Sequence, residues 1–366
     1  MNREIFENLF ILEMTNNHLG DKKRALQIIQ EFSQVVRFNN VRAAIKLQFR
    51  DIDNFIHKKF RKRTDIRYIK RTLETRLSDE DYGDLVQAIK ESGCIPMATP
   101  FDEHSVDLMM ELNMSIIKVA SADSNDWILL EKIAKTKKPV IISLAGLSEK
   151  DTDDLVLFFR NRNIPLALNH CVAAYPTVAS EMELNQIDYL RRRYPDVVIG
   201  HSSHDSHASE EYLLSMYIAY AKGARLFERH IDIDLGDTDI SSYSFRPEQI
   251  DSWLKAHKTA REMCGASSLE RSIPMKKEID FLDNYIRGVY AKRNLPAGHV
   301  LTNESYSQDV YLAIPLQKGQ ISCRELMTGE RLTKPIPKDD PLLIDAIDSP
   351  YAKNEQLKKT IYDRGI

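Results

Sequence analysis

Residues 95–144, IPMATPFDEHSVDLMMELNMSIIKVASADSNDWILLEKIAKTKKPVIISL, carry the pattern that decides the fold. Three short apolar runs, Ile95–Pro100, Ile116–Ser121 and Val140–Leu144, have the length and composition of strands. Between them, His104–Leu112 and Trp127–Thr136 place apolar residues at helical spacing. Strand, helix, strand without an intervening hairpin means parallel pairing through right-handed crossovers.

The same unit repeats in both directions. Leu9–Met14 and Ala43–Phe49 precede the stretch, and Leu166–Cys171, Val197–Ser202 and Leu226–Ile231 follow it, which makes eight strand candidates. Helical segments Asp21–Val36, Asp79–Ser92, Lys150–Arg160, Met182–Tyr194 and Glu210–Ala221 alternate with them, and Pro247–Cys264 comes after the last. Asp21 and the Pro247-Glu248 pair supply helix-start signals, and Gly265 a stop. Eight such units over roughly 250 residues predict an α/β fold, a closed (β/α)8 TIM barrel; a doubly wound open sheet is the alternative. Beyond the barrel (1–265), residues 266–284 read as a charged linker. Residues 285–348 then hold short apolar runs separated by turn signals such as Leu295-Pro296-Ala297-Gly298, Gln317-Lys318-Gly319 and Pro335–Asp340, the signature of a small β-rich domain. Residues 349–366 read as a poorly ordered tail.

With 43% apolar residues and no apolar run near the roughly 20 needed to span a bilayer, no membrane segment is expected. Leu9-Phe10-Ile11-Leu12 is too short for a secretion-signal core, so the expected location is the cytoplasm. The net charge of −3 offers no general attraction to nucleic acid. The basic cluster Lys58-Lys59-Phe60-Arg61-Lys62-Arg63, continued by Arg67, Lys70 and Arg71, is interleaved with Asp51, Asp53, Asp65 and Glu74 and reads as a solvated loop and helix face. Cys94, Cys171, Cys264 and Cys323 lack metal or disulfide spacing and are expected to be reduced core residues.

In a barrel of this kind, chemistry collects where strands end. There the sequence offers Glu13 at the end of the first strand and His18 after it, Lys46 and Gln48 on one side of the second, and Thr99 on the third. Lys118 and Ser121, Ser143, then Asn169-His170-Cys171 with Tyr175 follow, and Ser202, His204, Glu228 and His230 close the series. A single buried lysine can be structural and paired to a carboxylate. Two lysines with the hydroxyls of Thr99, Ser121, Ser143 and Ser202 point instead to a site for phosphate and carboxylate groups. His204 and His230 fall on adjacent strands, where they could share a metal. The series His201, His204, His207 alternates faces, so one or two of its members at most can aim at one site.

These residues, in this order, resemble the sialic acid synthase (N-acetylneuraminate synthase) family, a barrel joined to a C-terminal antifreeze-like or SAF domain. Glu13–Gly20 is similar to the family's E-I-G-x-N-H-x-G, Lys46–Gln48 to K-x-Q, Ala98–Asp102 to S-T-P-F-D, Lys118–Ser121 to K-I-A-S, His170-Cys171 with Tyr175–Thr177 to H-C…Y-P-T, and Glu228–His230 to E-K-H. The resemblance implies metal-assisted condensation of phosphoenolpyruvate with an open-chain aldose, giving a 3-deoxy-ulosonic acid and phosphate by C–O cleavage. It assigns Glu13 as the catalytic acid/base and places Lys46, Thr99, Lys118, Ser121, Ser143 and Ser202 around phosphoenolpyruvate. His204 and His230 would bind a divalent metal, Mn²⁺ ahead of Mg²⁺ or Co²⁺. Gln48, Tyr175 and Asp239 would face the sugar. It also implies a homodimer in which the small domain of one subunit covers the barrel of its partner.

The departures concern the acceptor. The family's K-R-P-G stretch, whose arginine reaches the acyl-amino sugar, aligns with Leu312-Ala313-Ile314-Pro315, so that arginine is absent. Arg324 or Lys318 lies nearby in sequence, and an acceptor other than N-acetylmannosamine is expected. Two other readings remain at this stage: a Schiff-base pyruvate aldolase using Lys118 or Lys46, and a catalytically silent barrel that binds sugar acids or phosphate.

Overall fold

The computed structural model describes residues 3–236, 239–265, 270–321, 329–349 and 352–366. Eight parallel strands, β1 (Leu9–Glu13), β2 (Ala43–Phe49), β3 (Ile95–Pro100), β4 (Ile116–Val119), β5 (Val140–Ser143), β6 (Leu166–Cys171), β7 (Val198–Ser203) and β8 (Leu226–Ile231), pair in sequence order, and β8 pairs back onto β1. That last pairing sets Glu13 beside His230 and closes the barrel, which rules out the open sheet.

Helices α1 (Lys22–Asn39), α2 (Ile52–Phe55), α3 (Arg67–Glu74), α4 (Asp79–Glu91), α5 (Glu103–Glu111), α6 (Trp127–Lys135), α7 (Glu149–Arg160), α8 (Asn185–Arg193), α9 (Glu211–Ala221) and α10 (Pro247–Cys264) form the crossovers and the final return. Their starts obey local chemistry. Asp21, Ser78, Asp102, Asp126 and Ser148 each accept a hydrogen bond from a first-turn N–H of the helix that follows.

Alternation along the strands divides the core in two. Leu9, Ile11, Ala44, Met97, Ile116, Ile141, Ala167, Val198 and Leu226 pack together inside the barrel, with Phe6 against them. Phe10, Leu12, Ile45, Ile117, Ile142, Leu168, Ile199 and Phe227 belong to the larger layer shared with the helices. Two residues beyond each inner apolar position, the side chain again points inward. This parity aims Glu13, Lys46, Thr99, Lys118, Ser143, Asn169 and Glu228 into the upper barrel.

Three features lie outside the sequence reading. The β2 to α4 connection contains α2 and α3, and the exposed Lys58 and Lys59 lie between them. After β8 the chain returns as β9 (Ser244–Phe245), which pairs parallel to β8 through His230 and Ser244. Cys94 and Cys171 are buried free thiols as expected, but Cys264, at the end of α10, is exposed and not a core residue. Cys323 lies outside the described residues.

The chain divides into two compact units, residues 1–265 and 266–366. In the second, β10 (Gly288–Ala291) pairs antiparallel with β11 (Val310–Ala313), and β12 (Arg331–Leu332) with β13 (Ile347–Asp348), around a core that includes Val289, Leu295, Leu301, Ile321, Leu342 and Ile344. The expected linker carries a helix, Lys276–Asp283, and the expected loose tail carries another, Glu355–Tyr362, with Ile361 buried. The two segments are tied together: Arg364 Nη2 donates to Asp283 Oδ1 (2.8 Å) and the Gly365 N–H to Oδ2 (3.1 Å). Each segment is short and highly charged, and a pairing across some 80 positions leaves no local signal. No helix among the described residues is long and apolar enough to cross a membrane.

Candidate active site

A cavity of about 240 Å³ opens at the C-terminal ends of the strands. Glu13, Lys46, Gln48, Thr99, Lys118, Ser121, Ser143, Tyr175, Ser202, His204 and His230 all line it. Asp239 does not: it is exposed in the loop after β8 and is not among the lining residues. Arg324 lies outside the described residues, and Lys318 is exposed in the second unit.

The floor of the cavity is a balanced set of buried charges. Lys46 Nζ donates to Glu228 Oε1 at 2.5 Å and also contacts the Glu13 carboxylate. Lys118 Nζ donates to Ser143 Oγ (2.6 Å) and lies 3.9 Å from Glu228 Oε2, which accepts from Asn169 Nδ2 at 2.9 Å. Burial alone would raise the Glu228 carboxyl, but Lys118 and Lys46 override it and hold the group well below the usual carboxylate range. For Lys46 the order reverses. Burial pulls its ammonium down to about 8, against the attraction of Glu228 and with the repulsion of Lys118. Two carboxylates thus make it possible to keep two lysines in a pocket that would otherwise expel them. Glu13 is oriented by its own loop, since Oε1 accepts the Thr15 N–H at 2.6 Å.

The histidine pair sits on the neighbouring wall. His204 Nδ1 lies 2.8 Å from the Val172 carbonyl oxygen, which assigns the ring proton to Nδ1 and leaves the Nε2 lone pair available. His230 Nδ1 is buried without a hydrogen-bond partner. The ring centroids are 5.2 Å apart. Burial pushes His204 down to about 4 and His230 well below its ordinary value, so both rings are neutral. Tyr175 packs on His204 at 4.2 Å and Tyr243 edge-on to His230 at 5.2 Å. Two neutral imidazoles with unused lone pairs suit a divalent cation. Among the described residues no group of three or more His, Cys, Asp or Glu side chains is placed to hold a metal ion, so this pair is the candidate set.

His201, on the opposite parity, is buried outside the cavity and stacks on His170 at 5.6 Å. His207 also lies off the cavity, so of the three spaced histidines His204 alone reaches it. The sequence reading assigned no role to Glu228, although its parity with His230 was legible. Cys171, a strand-end residue expected to be a reduced core thiol, lines the cavity, and burial raises it to about 11. Phe101, part of the Ala98–Asp102 motif, forms one wall of the cavity.

The NeuB family model matches residues 39–268. The crystal structure of a candidate spore coat polysaccharide biosynthesis protein E from Chromobacterium violaceum superposes with a TM-score of 0.88 at 36% identity, covering 94% of this chain and all of that one. N-acetylneuraminate-9-phosphate synthase of Homo sapiens is 26% identical over 345 residues, 93% of this chain and 92% of its own. Pseudaminic acid synthase of Campylobacter jejuni is 25% identical over 228 residues, 62% and 64% of the two chains.

Proposed function

This chain belongs to the NeuB family, and we propose that it is a transferase-type synthase that condenses phosphoenolpyruvate with an open-chain aldose to give a 3-deoxy-ulosonic acid of the sialic acid type and phosphate. The observation that carries this reading is the meeting of Lys46, Lys118, four hydroxyl side chains, Glu13 and the His204–His230 pair around one cavity. The names of the human and Campylobacter relatives, both nonulosonic acid synthases, support the same product class.

In this reading the ammonium groups of Lys46 and Lys118 and the hydroxyls of Thr99, Ser121, Ser143 and Ser202 bind the carboxylate and phosphate of phosphoenolpyruvate. The Lys118 to Ser143 bond already orders both partners for an anion. Enol carbon C3 forms a bond to the aldehyde carbon, whose oxygen takes up a proton. Water adds at C2, and the tetrahedral intermediate collapses with cleavage of the C2–O bond, so that phosphate leaves with the bridging oxygen. Glu13, held beside Lys46 at the cavity wall, handles the protons of the aldehyde oxygen and the attacking water. A divalent cation, Mn²⁺ in first place with Mg²⁺ or Co²⁺ as alternatives, fits His204 Nε2 and the His230 ring and when bound supplies Lewis-acid polarisation of the aldehyde oxygen. Gln48 and Tyr175 face the acceptor. We place the enzyme in the cytoplasm as a homodimer, with the small domain of each subunit over its partner's barrel.

Phosphate release from phosphoenolpyruvate with Mn²⁺ across a panel of acylated and unacylated aldoses, with a chelator control, tests the proposal. Release that depends on both aldose and metal is expected. No release with any aldose, from folded and metal-binding protein, overturns it. One observation favours a second reading: a lysine depressed by burial, as Lys46 is, suits a Schiff base. Borohydride trapping with pyruvate separates the two, because the metal-assisted synthase leaves no adduct.

A further inference from the structure

A second cavity, of about 490 Å³, opens at the other end of the barrel, where strands begin. Asn8, on its wall, directly precedes β1, and Arg42 directly precedes β2; His257, Lys258 and Arg261 of α10 close it from the helix layer. Among the described residues it shares no lining side chain with the cavity of Lys46, Lys118 and the histidine pair. Its wall is cationic. Arg42, Lys258 and Arg261 stand against one acid, Glu7, which pairs with Arg3 at 3.6 Å. Arg42 is fixed in place, Nη1 donating to the Glu4 carbonyl oxygen at 2.9 Å and Nη2 to that of Ile5 at 2.7 Å. Lys258 and Arg261 are exposed, and neither makes an ion pair among the described residues.

Beside these cations lies an unmet hydrogen bond. His257 lines the cavity and is 7% exposed, its ring held edge-on by Phe10 at 4.8 Å and Tyr220 at 5.1 Å. Its Nε2 is buried with no hydrogen-bond partner. Burial, with the charges of Arg225 and Arg261 after it, pushes the ring down to about 4, so it is neutral. A buried polar atom with no partner inside the protein calls for one from outside. Cations in the last turn of a helix can serve the helix itself by meeting its terminal carbonyls. That accounts for Arg261 alone: Lys258 lies further from the end of α10, and Arg42 belongs to a different segment.

We propose that this cavity is a second ligand site, for a phosphorylated, hydroxylated metabolite of the size of a sugar phosphate, with its phosphate on Lys258 and Arg261 and its body over Phe10 and Leu254 beside His257. Three cations against one paired acid balance a dianionic phosphate better than a single carboxylate. The cavity is about twice the 240 Å³ of the active-site cavity, so a bare phosphate leaves most of it unfilled. The exposed amides of Asn8 and Asn40 offer donors and acceptors for hydroxyl groups, and Phe10 and Leu254 an apolar face. The inference stands apart from the condensation proposed above, since none of its residues takes part in that reaction.

The test is calorimetric titration of the full chain with glucose 6-phosphate, mannose 6-phosphate and ribose 5-phosphate, beside glucose, gluconate and inorganic phosphate. Binding is read without turnover, so the outcome does not depend on whether the chain condenses phosphoenolpyruvate with an aldose. At least one sugar phosphate is expected to bind the wild type saturably and more tightly than the three simpler probes. The double variant K258A/R261A, at two exposed positions that leave the fold intact, should weaken it by at least about tenfold, since each position loses a charge-assisted contact. H257F keeps the ring packing without the nitrogens and should weaken it by about threefold. K118M, which removes a cation from the active-site cavity, should keep the affinity within twofold of the wild type. Absence of saturable binding for all three sugar phosphates, or a smaller loss in K258A/R261A, overturns the assignment. So does a loss in K118M equal to that in the double variant, which puts the anion at the C-terminal ends of the strands. Inorganic phosphate that binds as tightly as the sugar phosphates overturns the ligand class, and unchanged affinity in H257F overturns the part given to His257.

Discussion

The side chain of Asn169 on β6 fills the space that a Cβ on Gly200 of β7 would need: such an atom would lie 2.1 Å from Asn169 Oδ1 and 2.8 Å from Leu226 Cβ. Gly200 is thus the position that lets Asn169 lean across the barrel and donate to Glu228. A glycine in a central strand is otherwise unfavourable. Gly200→Ala is expected to cost about 1–3 kcal/mol through overpacking and to lower activity by displacing Asn169. Urea unfolding together with phosphate-release kinetics checks this; an unchanged urea midpoint would show that the barrel absorbs the methyl group elsewhere.

Glu228 predicts a different signature. It is the counter-charge shared by Lys46 and Lys118, and Glu228→Gln leaves them with Glu13 alone. Breaking a buried pair costs about 3–5 kcal/mol. Part of that loss is recoverable, because an anion bound between the lysines supplies charge that the variant lacks. Inorganic phosphate is therefore expected to raise the Tm of the variant more than that of the wild type. Equal shifts in the two proteins would mean that the lysines do not form the anion site.

How much of this was legible in the sequence follows from the range of the interactions. The strands stood out because each βα unit is local, and Ala43–Phe49, Ile95–Pro100, Leu166–Cys171 and Leu226–Ile231 fall where their composition predicts. The inward aim of Lys46 and Gln48 follows from strand parity. What parity could not say is which neighbours they meet. The Lys46 to Glu228 contact spans 182 positions, so the identity of the counter-charge needed the closed barrel. Arg50 carries no expectation because it follows the strand in sequence, and its stacking on Phe101 depends on how β2 and β3 end side by side. Asp239 falls between β8 and β9, exposed and away from the lining residues, in a connection where strand parity gives no direction.

The buried histidines make stability pH-dependent with a definite sign. His201 has both ring nitrogens buried without partners, and burial, with the charge of His170 next, holds it well below 6.5. In the unfolded chain it takes up a proton near its ordinary value of about 6.5. At pH above that value both states are neutral and nothing is lost. As the pH falls from about 6.5 toward the folded value, the unfolded state alone binds the proton and unfolding becomes easier. His201→Phe keeps the stack on His170 and removes this proton. The slope of unfolding free energy against pH between 6 and 5 is expected to fall by roughly one proton, up to about 1.4 kcal/mol per pH unit. Parallel slopes for wild type and variant would show that His201 is already charged in the fold.

His204 and His230 are separable by their second nitrogens. His204 is oriented by the Val172 carbonyl, whereas His230 Nδ1 has no hydrogen-bond partner to orient it. If the two rings share a cation, His204→Ala and His230→Ala should each abolish high-affinity Mn²⁺ binding, read as free ion by electron paramagnetic resonance, and lower metal-dependent phosphate release by about tenfold to a hundredfold or more. His204→Gln retains an oxygen ligand but loses the Val172 restraint, so it should bind Mn²⁺ more weakly than the wild type and better than the alanine variant. His201→Phe, off the cavity, leaves Mn²⁺ binding as it was. Tight Mn²⁺ binding that survives both alanine substitutions would place the cation elsewhere. The histidine pair would then be a neutral aromatic wall packed between Tyr175 and Tyr243.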